Sequence, residues 1–302
     1  MAKKVADVEM SKLYGGKVEI KFYPGSHQYW ISIKGDKFKR ASGVTSYIGI
    51  KDKSRALGSW QQQVTCDFLL EQIAKGVKID EDKAVEAVIQ HELQREDAAD
   101  IGKEIHGWVE AYIKKEIGQS KEVPEIPDFP EAVTGVNAFL KWRAEHKVKL
   151  VSTERVVFSM KHGYIGTLDD EAKVDGKHCL IDLKASNGLY NGVRMQTQAY
   201  VAADEEERDV KYDGRWALRL SKYTEKEYVK RETRKREIRE AIARTKGTES
   251  RSYPIKPYQV FEAKFLDADK SFGKRDFAAF MNCVELTKWD RATDSFTQGA
   301  DW

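Results

Sequence analysis

The sequence predicts an α/β fold, a central mixed β-sheet flanked by helices. Three observations carry that reading: an early run of short alternating strands, a long stretch of helical period, and a later cluster of strands that gives way to helix and strand in turn. The chain has 302 residues and is 41% hydrophobic, enough to bury a real core. Length alone leaves one large domain or two small ones open.

Lys17 to Lys39 alternates Tyr, Trp and Ile with polar residues and is punctuated by Pro24-Gly25 and Gly35-Asp36, so residues 1–50 are expected to form a small N-terminal β element. Residues 51–150 read as helical. Their clearest helix spans Ile101 to Ile117, with Asp100 as its N-cap, Gly118 just past its end, and an apolar face of Ile101, Ile105, Trp108, Val109, Tyr112 and Ile113. The proline-containing stretch Lys121–Glu131 cannot continue a helix and is expected to lead over the surface into another, near residues 132–146. Residues 151–302 should hold the main sheet: strands at 152–159, 164–174 and 177–185, a helix at 192–203, and strands at 215–222 and 258–265. Those last two flank a charged helical insertion at about 223–252, and a helix at 269–289 closes the chain. The three regions are expected to pack as one compact domain.

The net charge of +3 conceals blocks of opposite sign. Residues 1–60 carry 12 Lys/Arg against 5 Asp/Glu and residues 222–251 carry 11 against 6, whereas residues 80–131 carry 6 against 15. Two basic blocks suit a phosphate backbone; a solvated face is the other reading of each. No stretch is long and apolar enough to span a membrane, and the start MAKKVADVEMSK lacks the apolar middle of a signal peptide, so a cytoplasmic protein with no membrane partner is expected. Cys66, Cys179 and Cys283 lie far apart, which argues against a disulfide framework, a zinc site or a four-cysteine iron–sulfur cluster and suggests three buried thiols.

The segment Gly166–Ser186 contains Asp175-Gly176, a two-residue hairpin signal. If Val174 faces Lys177, counting back places Lys173 opposite His178, Glu171 opposite Leu180 and Asp169 opposite Asp182. The two aspartates would then be a direct cross-strand pair with Cβ atoms roughly 4.5–5.5 Å apart. Such a pair is destabilising unless a proton or cation sits between the carboxylates, and hard divalent cations prefer oxygen ligands. Lys184 would share the face of Asp182, while Asp170 would point the other way with Ala172, Val174, Ile181 and Leu183. A surface hairpin with solvated charges, or a bulge that changes the register, is the alternative.

Two further features stand apart from the hairpin. His106 lies at the border of the apolar face of its helix, where a packing or capping role is the simpler reading. Gln196 and Tyr200 are one helical turn apart and share a face. Together the segments resemble the RecB-type branch of the PD-(D/E)XK nuclease superfamily, especially stand-alone exonuclease-like proteins of bacteriophages and their mitochondrial relatives. Gly102-Lys-Glu-Ile-His106 resembles the family's GxxxH, Gly166-Thr-Leu-Asp169 the strand ending in the first acidic ligand, Asp182-Leu-Lys184 the (D/E)xK element, and Gln196-Thr-Gln-Ala-Tyr200 the QxxxY motif. The phage members are also resembled, more weakly, by His27 to Ile48 and Leu57 to Gln61.

The resemblance implies a restriction-endonuclease-like core. It implies that His106, Asp169, Asp182 and the backbone carbonyl of Leu183 ligate one or two Mg²⁺ or Mn²⁺ ions, with Glu154 as an extra ligand, a supporting acid or a purely structural residue. Lys184 would orient or activate the attacking water, and Gln196 and Tyr200 would support it and contact DNA. The family's iron–sulfur subtypes need four cysteines and are not expected here. Arg234, Lys235 and Arg236 in the charged insertion are expected to grip the DNA backbone, an exposed solvated helix being the alternative. The function expected is a DNA exonuclease acting on ends in phage-type recombination, replication or repair, alongside a phage recombination or replication protein. A structure- or site-selective endonuclease on the same fold, and a non-catalytic DNA-binding component, are the alternatives.

Overall fold

The computed structural model describes residues 8–248, 254–269 and 271–297. Residues 249–252 of the expected insertion, Lys3, Lys4 and Arg251 of the basic blocks, and most of the opening segment read against a signal peptide lie outside them.

Four strands open the chain: β1 (Glu9–Leu13), β2 (Val18–Tyr23), β3 (Gln28–Ile33) and β4 (Lys39–Gly43). The first of these precedes the segment that sequence period marked out. Helices α1 (Val44–Ile48), α2 (Ser54–Ala74), α3 (Glu81–Glu116) and α4 (Pro130–Glu145) follow. The second half holds β5 (Val148–Ser159), β6 (Tyr164–Val174), β7 (Lys177–Lys184), α5 (Gly192–Arg208), β8 (Gly214–Leu220), α6 (Glu225–Thr245), β9 (Phe261–Phe265) and α7 (Ser271–Thr297). The result is α/β, a nine-stranded mixed sheet with helices packed against it. Its order is β1-β2-β3-β4-β6-β7-β8-β9, with β5 on the other edge of β6.

Two pairings are parallel, β4 with β6 and β7 with β8, and the rest are antiparallel. One core cluster joins Ile105, Val109 and Ile113 of α3 and Phe139 and Trp142 of α4 to Ile181 and Leu183 of β7. A second joins Leu168 and Leu180 to Ala199 and Tyr200 of α5 and Phe280 of α7. The N-terminal strands are tied in by a third cluster, in which Val18, Ile20 and Tyr29 pack on Phe158 and Ile165.

The helix read as Ile101–Ile117 is 36 residues long, Glu81–Glu116, and is capped by Asp80, whose side chain accepts the Lys83 N–H. Asp100 is therefore an interior residue, and it pairs with Lys103 at 2.7 Å. The physical reason is plain: no Gly or Pro interrupts residues 81–101, and Glu81 and Asp82 place negative charge in the first turn, where the helix dipole favours it. Of the three cysteines expected to be buried only Cys179 is; Cys66 and Cys283 are half-buried, and all three are free. No helix among the described residues is long and apolar enough to cross a membrane.

Candidate metal centre

The candidate site follows from how β6 shares its edge. Along one side β6 pairs with β5 from Tyr164 to Val174. Along the other it pairs with β4 only at Tyr164 and Ile165, and with β7 only from Asp170 to Val174. Residues 166–169 thus face a fork between two strands. A cavity of about 260 Å³ opens there, lined by Gly166, Thr167 and Asp169 of β6.

The hairpin register is the one obtained by counting: Val174 faces Lys177, Lys173 faces His178 and Glu171 faces Leu180. It ends at Asp170↔Ile181, one pair short of the expected opposition of Asp169 and Asp182. Beyond that point the Asp169 Oδ2 accepts the Leu183 N–H at 2.8 Å. A carboxylate here takes the place of the backbone carbonyl that a continued ladder would have offered, because a sheltered N–H must find an acceptor. The direct aspartate pair is thereby replaced by a side chain bridging two diverging strands.

The carboxylate that stands opposite Asp169 comes from β5. Thr153 pairs with Asp170 and Arg155 with Leu168, which sets Glu154 across from Asp169. Glu154 has φ +49°, a left-handed conformation rarely adopted by glutamate, and the ladder bond lapses there. Burial, then the charges of Asp169 and Glu110, push the Glu154 carboxyl up to about 8. His106 reaches the same place from α3, its Nδ1 4.0 Å from Asp169 Oδ2. One ligand atom from each of His106, Glu154 and Asp169 lies within 4.8 Å of the others. An imidazole and two repelling carboxylates at that spacing can hold one divalent cation.

The GxxxH spacing has a physical account. A Cβ on Gly102 would sit 3.9 Å from the Cβ of Ala185, so α3 lies close over the end of β7, and His106 is one turn further along the same helix.

Asp182 is fully buried and stands apart from that trio. Its Oδ2 lies 2.6 Å from Lys184 Nζ, and its Oδ1 has no hydrogen-bond partner. Burial pushes the Asp182 carboxyl up, which Lys184 opposes and Asp169 reinforces. Burial alone would lower the Lys184 ammonium, but Asp182 and Asp169 hold it above the ordinary lysine value. The proton therefore stays on the lysine, and the two form an ion pair. The Leu183 carbonyl, expected to face a metal, accepts from Lys184 Nζ at 3.1 Å.

Asp170 is excluded from the site. It pairs with Ile181 in the ladder, is 2% exposed, and burial followed by the charge of Asp169 raises its carboxyl well above the usual range. Gln196 and Tyr200 do line the cavity, and Gln196 Nε2 donates to Tyr200 Oη at 3.2 Å. The Tyr200 ring lies so close to Gly166 that a Cβ there would come within 2.4 Å of Cε1.

Sequence reasoning missed the wall that the N-terminal segment, from the turn before β3 to α1, contributes. His27, Tyr29 and Thr45 line the cavity, and Tyr29 Oη shares a hydrogen bond of 2.8 Å with Thr167 Oγ1. The signal was Thr167 itself, the polar residue on β6 two positions before Asp169.

Of the three cations expected to grip DNA, each has an acidic neighbour within the chain: Arg234 with Asp67 at 2.6 Å, Lys235 with Glu232 at 2.6 Å and Arg236 with Glu240 at 4.0 Å. Arg234 fastens α6 to α2. Compared with protein-family models and with curated proteins, the sequence matches none.

Proposed function

We propose that the protein is a Mg²⁺- or Mn²⁺-dependent deoxyribonuclease of the PD-(D/E)XK type, acting as a DNA exonuclease. The observation that carries the reading is the convergence of His106, Glu154 and Asp169 in an open cavity beside the Lys184–Asp182 ion pair. His106, Glu154 and Asp169 would hold the ion, and Asp182, with one buried oxygen lacking a partner, is the further carboxylate on offer. A divalent cation so held supplies charge against the phosphate oxygens and makes hydroxide available near neutral pH.

The chain's own residues do the rest. Lys184 presents a fixed positive charge within electrostatic reach of Asp169 and Glu154, kept protonated by Asp182 and Asp169. Asp169 ties the end of β7 to β6, which holds Lys184 in place relative to the trio. Tyr200 and Gln196 form a hydrogen-bonded part of the cavity wall that His106 also lines, and the closely packed Gly166 sets the position of the tyrosine ring. In the setting this reading proposes, the protein is a cytoplasmic enzyme of phage-type recombination, replication or repair, working with a recombination or replication protein.

End-labelled single- and double-stranded DNA, digested with Mg²⁺ and with Mn²⁺, tests the reading. Metal-dependent loss of label that disappears in Asp169→Asn and Lys184→Ala is expected. Equal cleavage by parent and variants would overturn the catalytic assignment. Closed circular DNA separates exonuclease from endonuclease, since cutting of the circle counts against a strict exonuclease.

A further inference from the structure

We propose that the cleft between α2 and α6 binds one strand of single-stranded DNA, with a backbone phosphate held by Lys222 and Arg231 and a base lying on Trp60. This rests on the nuclease reading and names the form of its substrate.

Lys222 follows the end of β8 and is only 7% exposed. Arg231 stands beside it: burial and the arginine's charge hold the Lys222 ammonium below the ordinary lysine range. Among the described residues neither Lys222 nor Arg231 is in an ion pair. Glu131 acts on Lys222 from beyond ion-pair distance. A nearly buried ammonium next to a guanidinium is costly unless an anion joins them. Arg231 is also stacked on the Tyr223 ring, 4.3 Å from its centre, which fixes the guanidinium in the cleft.

The surroundings suit a phosphodiester rather than a free carboxylate. Asn187 lines the same small chamber as Lys222 and Arg231 and offers a neutral donor, while the Ser186 hydroxyl beside it is donated to the Gly188 carbonyl. Arg231, Tyr223 and Asn187 also line the adjoining chamber of about 410 Å³, whose far wall is Trp60 and Gln63 of α2. One ligand spanning both chambers would place a charged group in the first and a flat apolar group in the second, which is the repeat of a nucleic acid chain. A base stacked inside a duplex cannot offer its face to Trp60, so the strand must be single. Of the acids lining the two chambers, Asp67 is paired with Arg234, Glu232 with Lys235, and Glu227 accepts from Thr224, which leaves Glu131 as the carboxylate that a bound phosphate must face. The connection to the candidate metal centre is covalent and short: Asn187 lies three residues beyond Lys184 on the loop that leaves β7.

The experiment measures anisotropy of a short fluorescent oligothymidine, and of a duplex of the same length, in chelator so that no cutting occurs. The parent is expected to bind the single strand. Lys222→Met and Arg231→Gln should each weaken that binding roughly tenfold and flatten its salt dependence by about one phosphate contact. Trp60→Ala should weaken it by about tenfold with the salt slope unchanged. Lys222→Met removes a buried cation, so its melting temperature should be equal to or above the parent's, which misfolding cannot imitate. Unchanged affinity and salt slope in the two cation variants would overturn the proposal, as would a parent that binds duplex alone. The nuclease reading fails separately: a parent that binds oligothymidine through Lys222 but cuts no DNA in Mg²⁺ or Mn²⁺ keeps the cleft and loses the enzyme.

Discussion

At the scale of single residues, the site is a problem of like charges held close. Glu154 and Asp169 face each other across two strands, and the folded protein raises Glu154 from an ordinary 4.5 to about 8, burial contributing most. A raised carboxyl pKa means that folding favours the protonated form. The stability it contributes is present below about pH 4.5 and is lost as pH rises through 8. Metal-free protein should therefore lose stability between those limits, and Glu154→Gln should flatten the loss; urea melts across the pH range check this. Asp169→Asn keeps an oxygen to accept the Leu183 N–H while removing the repulsion, so its metal-free melting temperature should match or exceed the parent's. Its stabilisation by Mn²⁺ should vanish and cleavage should fall by about 10²-fold or more, comparable to removing one stabilising group from an active site.

At the scale of elements, the hairpin was legible because a two-residue turn fixes register by counting, and every observed pair from Val174 back to Asp170 obeys it. Where the strands part was not legible. The fork depends on β4 arriving from more than a hundred residues earlier, and the carboxylate facing Asp169 depends on Glu154 taking a left-handed turn that no residue type announces. The same limit applies to α3. Asp100 has the chemistry of a cap, but so does Asp80, and only the uninterrupted chain between them makes Asp80 the one that works. Asp80→Ala should cost about 1 kcal/mol, as loss of an N-cap does, and Asp100→Ala, at an exposed helix position, less than about 0.5 kcal/mol. Denaturant midpoints of the two variants separate the readings. Packing adds a third case: Gly166→Ala forces the Tyr200 ring to move and should cost about 1–3 kcal/mol, with Mn²⁺ affinity less affected than cleavage rate.

At the scale of the whole molecule, the N-terminal strands could in principle fold apart, since only two residue pairs join β4 to β6. Two features bind them in. Their apolar side chains share a core with Phe158 and Ile165, and Tyr29 is bonded to Thr167 beside the candidate ligands. The far end is fastened by Arg215, 1% exposed, whose guanidinium meets Asp267 at 2.6 Å after β9 and Asp276 at 2.8 Å on α7. Sequence reading placed these strands and helices along the chain, but period and composition report on neighbours and not on partners fifty or sixty residues away. A sheet shared by every region, with each end pinned to the middle, should unfold as one unit. Trp30, Trp60, Trp108, Trp142 and Trp216 report from β3, α2, α3, α4 and β8. Urea transitions followed by their fluorescence and by far-UV circular dichroism should therefore coincide. Mn²⁺ should move both curves together by the same amount, because an ion held by α3, β5 and β6 stabilises the folded state and not one part of it. Arg215→Ala leaves Asp267 without its cation and Asp276 with Arg194 alone, so it should lower the common midpoint by the equivalent of about 3–5 kcal/mol without splitting the transition. A fluorescence step that precedes the loss of helix, with Mn²⁺ moving only one of the two, would mean that the N-terminal sheet is a separate folding unit resting against the site.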